Sequence, residues 1–184
     1  MAQAKGYGDS RGYNVPLGTH TFVFQENSGI PNSMLPLIVR QGAIPPSADD
    51  PAKTFETTFA RNGWTGAWRN GIYDFHHYHS TAHEVLGIAC GSATVRFGGE
   101  GGETFGLSTG DVVVIPAGVG HALINASDDL LVVGAYADGR DYDLLREDPN
   151  ALAAARTRIT AVPLPAMDPV DGAQGPLVKL WTSR

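Results

Sequence analysis

Residues 71–91 read GIYDFHHYHSTAHEVLGIACG, and residues 110–125 read GDVVVIPAGVGHALIN. In the first stretch five residues separate Gly71 from His77, one separates His77 from His79, four separate His79 from Glu84, and six separate Glu84 from Gly91. Side chains at i and i+2 of an extended chain leave the same face about 6.6 Å apart. His77 and His79 can therefore bring their imidazoles to one point, while His76 alternates to the opposite face. The polar run from Ser80 to His83 can turn the chain back, so that Glu84, opening the next strand, faces both histidines. The second stretch supplies a strand at Val112–Ile115 and a turn with Pro116 at i+1 and Gly118 at i+3, consistent with type I. His121 follows on the returning strand. Three neutral imidazoles and a carboxylate suit one divalent ion, Fe(II), Mn(II), Ni(II) or Zn(II), and the residue types do not choose among them. The candidate ligands are His77, His79, Glu84 and His121.

Outward from these stretches the chain keeps one character. From Gly71 onward short β-type runs alternate with glycine: YDFHHYH, EVLGIAC, ATVRF, TFGL, DVVVI, HALIN and LLVVGAYA,. This predicts an all-β core over about residues 71–137. Thr21–Phe24 and Leu37–Arg40 add strands upstream. Residues 49–63 read as a helix, with Asp50 as cap, Pro51 in the first turn, Phe55 and Phe59 four apart, and Asn62-Gly63 as a left-handed stop. A second helix is expected from Pro149, capped by Asp148, through LAAARTR, and a last strand at Leu177–Trp181. Residues 1–20 are Gly-rich and aperiodic and read as a flexible N-terminal segment, leaving 21–184 as one domain.

The composition fits that organisation. A chain of 184 residues can bury roughly 70% of its unfolded surface in one core. Gly 23 and Pro 12 make about a fifth of it, which implies many tight turns,. Lys and Arg number 13 against 19 Asp and Glu, for a formal charge of −6, so no basic footprint for nucleic acid is present,. One cysteine, Cys90, allows no internal disulfide, and the cytoplasm is the expected compartment,. The apolar runs are too short to span a bilayer as helices, so no membrane partner is expected.

The paired motifs resemble the two motifs of the cupin superfamily and match each of their defining positions. The resemblance implies a double-stranded β-helix, or jelly-roll, barrel with one or two short flanking helices. It also implies one metal ion per chain on the four residues named above, a small-molecule ligand and a homodimer joined through sheet edges. PNSMLPLIVRQGAIP (31–45), NGWTGAWRNGIYDFHHYHSTAHEVLG (62–87) and DPVDGAQGPLVKLW (168–181) are similar to the YjlB-like subgroup of bacterial cupins. That subgroup brings no reaction with it.

Strand parity places Tyr73, Phe75, Leu86 and Ile88 toward the barrel lumen as pocket-lining residues. Their apolar character suits a dry pocket. It favours a metal-dependent, dioxygenase-type oxidoreductase acting on a small polar organic molecule. The other readings are a metal-dependent isomerase, for which no spare His or carboxylate shares the inward face, a non-catalytic binding cupin, and a metal-free storage-type multimer. The same parity lets Cys90 look inward, and it turns His76 and His83 away from the ligands. Trp64 and Trp68, four apart, read as core or subunit contact.

Overall fold

The computed structural model describes residues 16, 18–45 and 49–181. The expected flexible segment therefore falls mostly outside the described residues. Its last two members, Thr19 and His20, open the first strand.

Among the described residues, nine strands form two antiparallel sheets. β1 (Thr19–Phe24), β2 (Ser33–Arg40), β3 (Trp64–Asn70), β4 (Glu84–Cys90), β7 (Val112–Ile115) and β9 (Leu131–Ala137) make one sheet in the order β1-β2-β7-β4-β9-β3. β5 (Ser92–Phe97), β6 (Glu103–Ser108) and β8 (His121–Ala126) make the other, in the order β6-β5-β8. The result is the jelly roll that the motifs imply.

The central strands of the large sheet are buried on both faces, which is why a strand such as VVVI can be apolar at every position,. Its inner face meets the small sheet through Leu37, Val39, Leu86, Ile88, Val113 and Ile115, packed on Val95, Phe97 and Leu107. Its outer face is covered by α1 (Pro51–Arg61), whose Phe55 and Phe59 pack on Val85, Val112 and Val133. α1 starts as read, because the Asp50 carboxylate accepts the Lys53 N–H at 2.9 Å,. α2 (Leu152–Ala161) closes one end of the barrel, with Ala155 and Ile159 against Ile30, Tyr78 and Ala117.

Four expectations need correction. The run 73–79 is not a continuous strand: only His77 and Tyr78 form β-bridges, to His121 and Leu145, because each finds its partner in a different segment. The C-terminal stretch is a helix, α3 (Pro176–Leu180), rather than a strand. Pro176 suits its first turn, and the Asp168 carboxylate accepts the Leu177 N–H at 3.1 Å,. In the turn before His121, the Val119 N–H donates to the Pro116 carbonyl at 3.1 Å, so Pro116 is at i and Gly118 at i+2. Gly118 has φ +94°, the left-handed value that a type II turn demands there,. Finally, a bulge between Ile88 and Cys90 breaks the parity of β4 and turns Cys90 outward, where its thiol donates to Asp129 Oδ2 at 3.3 Å,.

Candidate metal centre and pocket

Glu84 and His121 ride on ladder strands. Glu84 opens β4 and pairs with Ile115 on one side and Tyr136 on the other; His121 opens β8 opposite Phe97. His77 and His79 sit on the irregular segment, and alternation still governs them. The His77 N–H and carbonyl bond to His121, Tyr78 turns the other way into the α2 cluster, and His79 points back with His77. The ligand atoms of His77, His79 and His121 all lie within 4.8 Å of one another, and all three residues are buried. Glu84 Oε2 stands 3.4 Å from His79 Nε2 and 3.3 Å from His121 Nε2.

The orientation of the rings is set from behind. His77 Nδ1 faces the Phe75 carbonyl at 3.1 Å, His79 Nδ1 the Asp143 carbonyl at 2.5 Å, and His121 Nδ1 the Val119 carbonyl at 3.3 Å. A carbonyl can only accept, so each Nδ1 carries the proton and each Nε2 is left to face the centre. Burial, then the neighbouring His121, pushes His77 down to about 3, which keeps it neutral at physiological pH,. Burial alone would raise the Glu84 carboxyl, yet His79 and His121 beside it hold it well below the usual carboxylate range. At His79 burial opposes the charge, but Glu84 and Asp143 outweigh it and the net shift is upward.

Glu84 Oε2 is buried without a hydrogen bond of its own. A buried carboxylate oxygen beside converging imidazole nitrogens, each fixed by a bond at its far nitrogen, is the donor set of a divalent transition metal. The residues fit such an ion.

The four residues sit in a cavity of about 280 Å³, at the small end of ligand sites,. Of the residues expected to line it, Tyr73 and Leu86 do. Ile88 shares the face of Leu86 but is one pleat deeper, inside the packing between the sheets. Phe75 stacks on Tyr73 at 4.9 Å and lies under the Arg146 guanidinium at 3.9 Å, off the cavity wall. Most of the wall comes from elsewhere: Trp68 on β3, Tyr136 on β9, and Tyr142 and Leu144 on the segment after β9. Trp68 reaches the wall because of a bulge between Thr65 and Trp68, which puts it on the opposite face from Trp64, a residue of the outer core,. Its indole lies over Gly134, where a Cβ would come within 2.1 Å of the ring. Its Nε1–H donates to the Tyr136 hydroxyl at 3.1 Å. The other two histidines of the 71–91 stretch stand off the centre. His76 is half-buried, and His83 lies on the outer face as alternation requires. His83 is buried rather than solvated, packed on Trp181 at 4.8 Å and accepting the Ala117 N–H at 2.9 Å.

The chain matches the cupin domain family over residues 69–134. It is 39% identical over 164 residues to the uncharacterized protein YjlB of Bacillus subtilis (strain 168), covering 89% of this chain and 96% of that one. Solved structures with some similarity include the acireductone dioxygenase of Bacillus anthracis with a cadmium ion in its active centre. That match has 19% identity and a TM-score of 0.38, over 51% of this chain and 63% of the other. A deletion mutant of Bacillus subtilis oxalate decarboxylase is 20% identical with a TM-score of 0.38, over 66% of this chain and 30% of the other. Likeness at that level bears on neither substrate nor reaction.

Proposed function

The chain belongs to the YjlB-like cupins, and from the geometry of its buried site we propose a metal-dependent enzyme, a dioxygenase-type oxidoreductase acting on a small polar organic molecule. His77, His79, Glu84 and His121 would hold one divalent ion, Fe, Mn, Ni or Zn. The observation that carries the reading is the shared orientation of the three imidazoles, each with Nδ1 tied to a main-chain carbonyl, around a buried Glu84 oxygen that lacks a hydrogen bond. A divalent ion in that set supplies Lewis-acid or redox chemistry to a small molecule bound beside it.

The rest of the chemistry belongs to the chain. Trp68, Tyr73, Tyr136 and Tyr142 give the cavity an aromatic wall, in which Tyr73 and Tyr142 are also exposed to solvent. Burial, then the Glu84 charge, raises the Tyr136 hydroxyl, so it stays protonated. Because the Trp68 N–H occupies one of its acceptor positions, Tyr136 is left to donate, to Glu84 or to an oxygen of the ligand,. Leu86 and Leu144 pack the ligand's apolar body. A metal-dependent isomerase is the alternative that Tyr136 favours, since it supplies a proton donor on the inward face. A non-catalytic binding cupin would use the same wall without turnover.

Elemental analysis of the purified protein, followed by oxygen uptake with the Fe(II)-loaded form against small organic acids, thiols and phenols, tests the assignment. Uptake with one class supports the oxidoreductase; metal without uptake turns the reading to binding or isomerisation. The same proposal takes residues 21–184 as one cupin domain working in the cytoplasm as a homodimer. Exposed side chains on the edge strand β1 support the pairing,. Sedimentation showing only a 19.5 kDa species at micromolar protein would remove the homodimer.

A further inference from the structure

The segment from Asp141 to Leu145 is laced to the chain around His79 at Asp141, Asp143 and Leu145. The Thr81 hydroxyl donates to the Asp141 carbonyl at 3.0 Å, and the Asp143 N–H donates back to that hydroxyl at 3.1 Å. The Asp143 carboxylate takes the Ser80 N–H at 2.6 Å on Oδ1 and the Ser80 O–H at 2.5 Å on Oδ2. Tyr78 and Leu145 exchange both main-chain bonds, at 2.9 and 3.0 Å. Arg158 of α2 donates to Ser80 Oγ at 2.6 Å, joining the helix to the lace. Two products of this strap face the cavity. One is the Asp143 carbonyl that accepts the His79 Nδ1–H; the other is the Tyr142 ring, stacked on Tyr136 at 4.4 Å and edge-on to His79 at 5.0 Å.

We infer that Asp143 is a positioning residue that ties metal affinity to pocket shape: its carboxylate grips Ser80, and this grip holds its own carbonyl on His79 and the Tyr142 ring against Tyr136. The inference rests on the metal reading of the four residues above. His79 has no ladder to hold it, in contrast to Glu84 and His121: the Gly118 N–H fixes its carbonyl at 2.8 Å, and the aim of its ring depends on this grip. An imidazole that loses its outer hydrogen bond loses its preferred tautomer and its fixed ring plane, which typically weakens metal binding roughly 10- to 100-fold. The Tyr142 ring is half-exposed and among the described residues has only Tyr136 and His79 as aromatic neighbours, so it leaves the wall when the strap lifts.

The test is Zn(II) affinity, by competition with a chromophoric chelator, for the parent, Asp143→Ala and Asp143→Asn. The His79 Nδ1–H proton is followed by NMR in the Zn(II)-loaded proteins, and hydrogen exchange is followed at Tyr78 and Leu145. Asp143→Ala should bind Zn(II) roughly 10- to 100-fold more weakly, lose the protected Nδ1–H signal and exchange faster at both amides. Asp143→Asn, which still accepts the Ser80 N–H but cannot accept its O–H, should fall between and remains informative where the alanine variant does not fold. Unchanged Zn(II) affinity and an intact Nδ1–H signal in both variants overturn the inference while leaving the metal site standing. A parent that takes up no Zn(II), Fe(II), Mn(II) or Ni(II) overturns the metal reading itself, and the inference with it.

Discussion

The four proposed ligands divide into two pairs held in different ways. Glu84 and His121 are first residues of strands, and their direction follows from the register of ladders that run on for several residues. His77 and His79 lie on a segment with two single bridges, and their direction follows from side-chain and carbonyl locks. A ladder spreads a local change over many bonds, while a lock fails when one partner goes. His121 adds a carbonyl lock, to Val119, to its ladder, so His77 and His79 should be the more sensitive pair to residues that never touch the centre.

The harshest way to break this division is to remove the ligands themselves. His77→Ala, His79→Ala and His121→Ala should each drop metal content from about one ion per chain to a trace, measured by elemental analysis, with far-UV circular dichroism retained because burial holds the barrel. Glu84→Ala should lose less, since three imidazoles remain. If all four kept their metal, the site would lie elsewhere.

Gly118→Ala probes the ladder side through the turn that delivers His121. A Cβ there would sit 2.5 Å from the Asn32 carbonyl oxygen at a backbone angle that alanine resists. We expect a loss of about 1–3 kcal/mol in denaturant unfolding. Wild-type stability would mean that the turn relaxes freely and that register alone does not aim His121.

Acidity separates the two locked histidines. In the metal-free protein the unfolded chain protonates His77 near the ordinary histidine value, whereas the folded chain resists until about 3. The unfolded state thus binds more protons, and this group lowers stability as pH falls below about 6.5. His79 is raised, so its contribution is full below about 6.5 and is lost as pH rises through its higher folded value,. Melting temperature against pH should show less acid loss in His77→Ala and less loss on the alkaline side in His79→Ala. Identical profiles would contradict both assignments.

The smallest effects are expected at the residues that alternation or a bulge turns away. His76→Ala and Cys90→Ala should keep the parent's metal content, and the exposed Cys90→Ala should change stability by no more than about 0.5 kcal/mol. Loss of the ion in His76→Ala, with retention in His77→Ala, would shift the register of the whole segment by one.

The convergence of His77, His79, Glu84 and His121 was readable because it depends on short spacings and on alternation, which a sequence displays directly. α1 was readable for the same reason: its cap, its proline and its paired phenylalanines are all local. The cavity wall was not. Trp68 and Tyr136 meet because β3, β9 and β4 lie side by side, an order that chain sequence does not announce, and because a bulge turns Trp68 away from the face of Trp64. Bulges defeat parity at Cys90 as well. At the C-terminus β-branched and apolar residues suggested a strand, but Asp168 and Pro176 together decide for a helix, and the carboxylate acts across nine residues.

Arg69 is the cavity's one arginine or lysine among the described residues, and it is gripped by both oxygens of Glu56, at 2.7 and 3.0 Å. A cation already matched in this way draws no anion from a distance. Any dependence of small-molecule entry on ionic strength should then owe little to Arg69, and Arg69→Ala should leave that dependence unchanged.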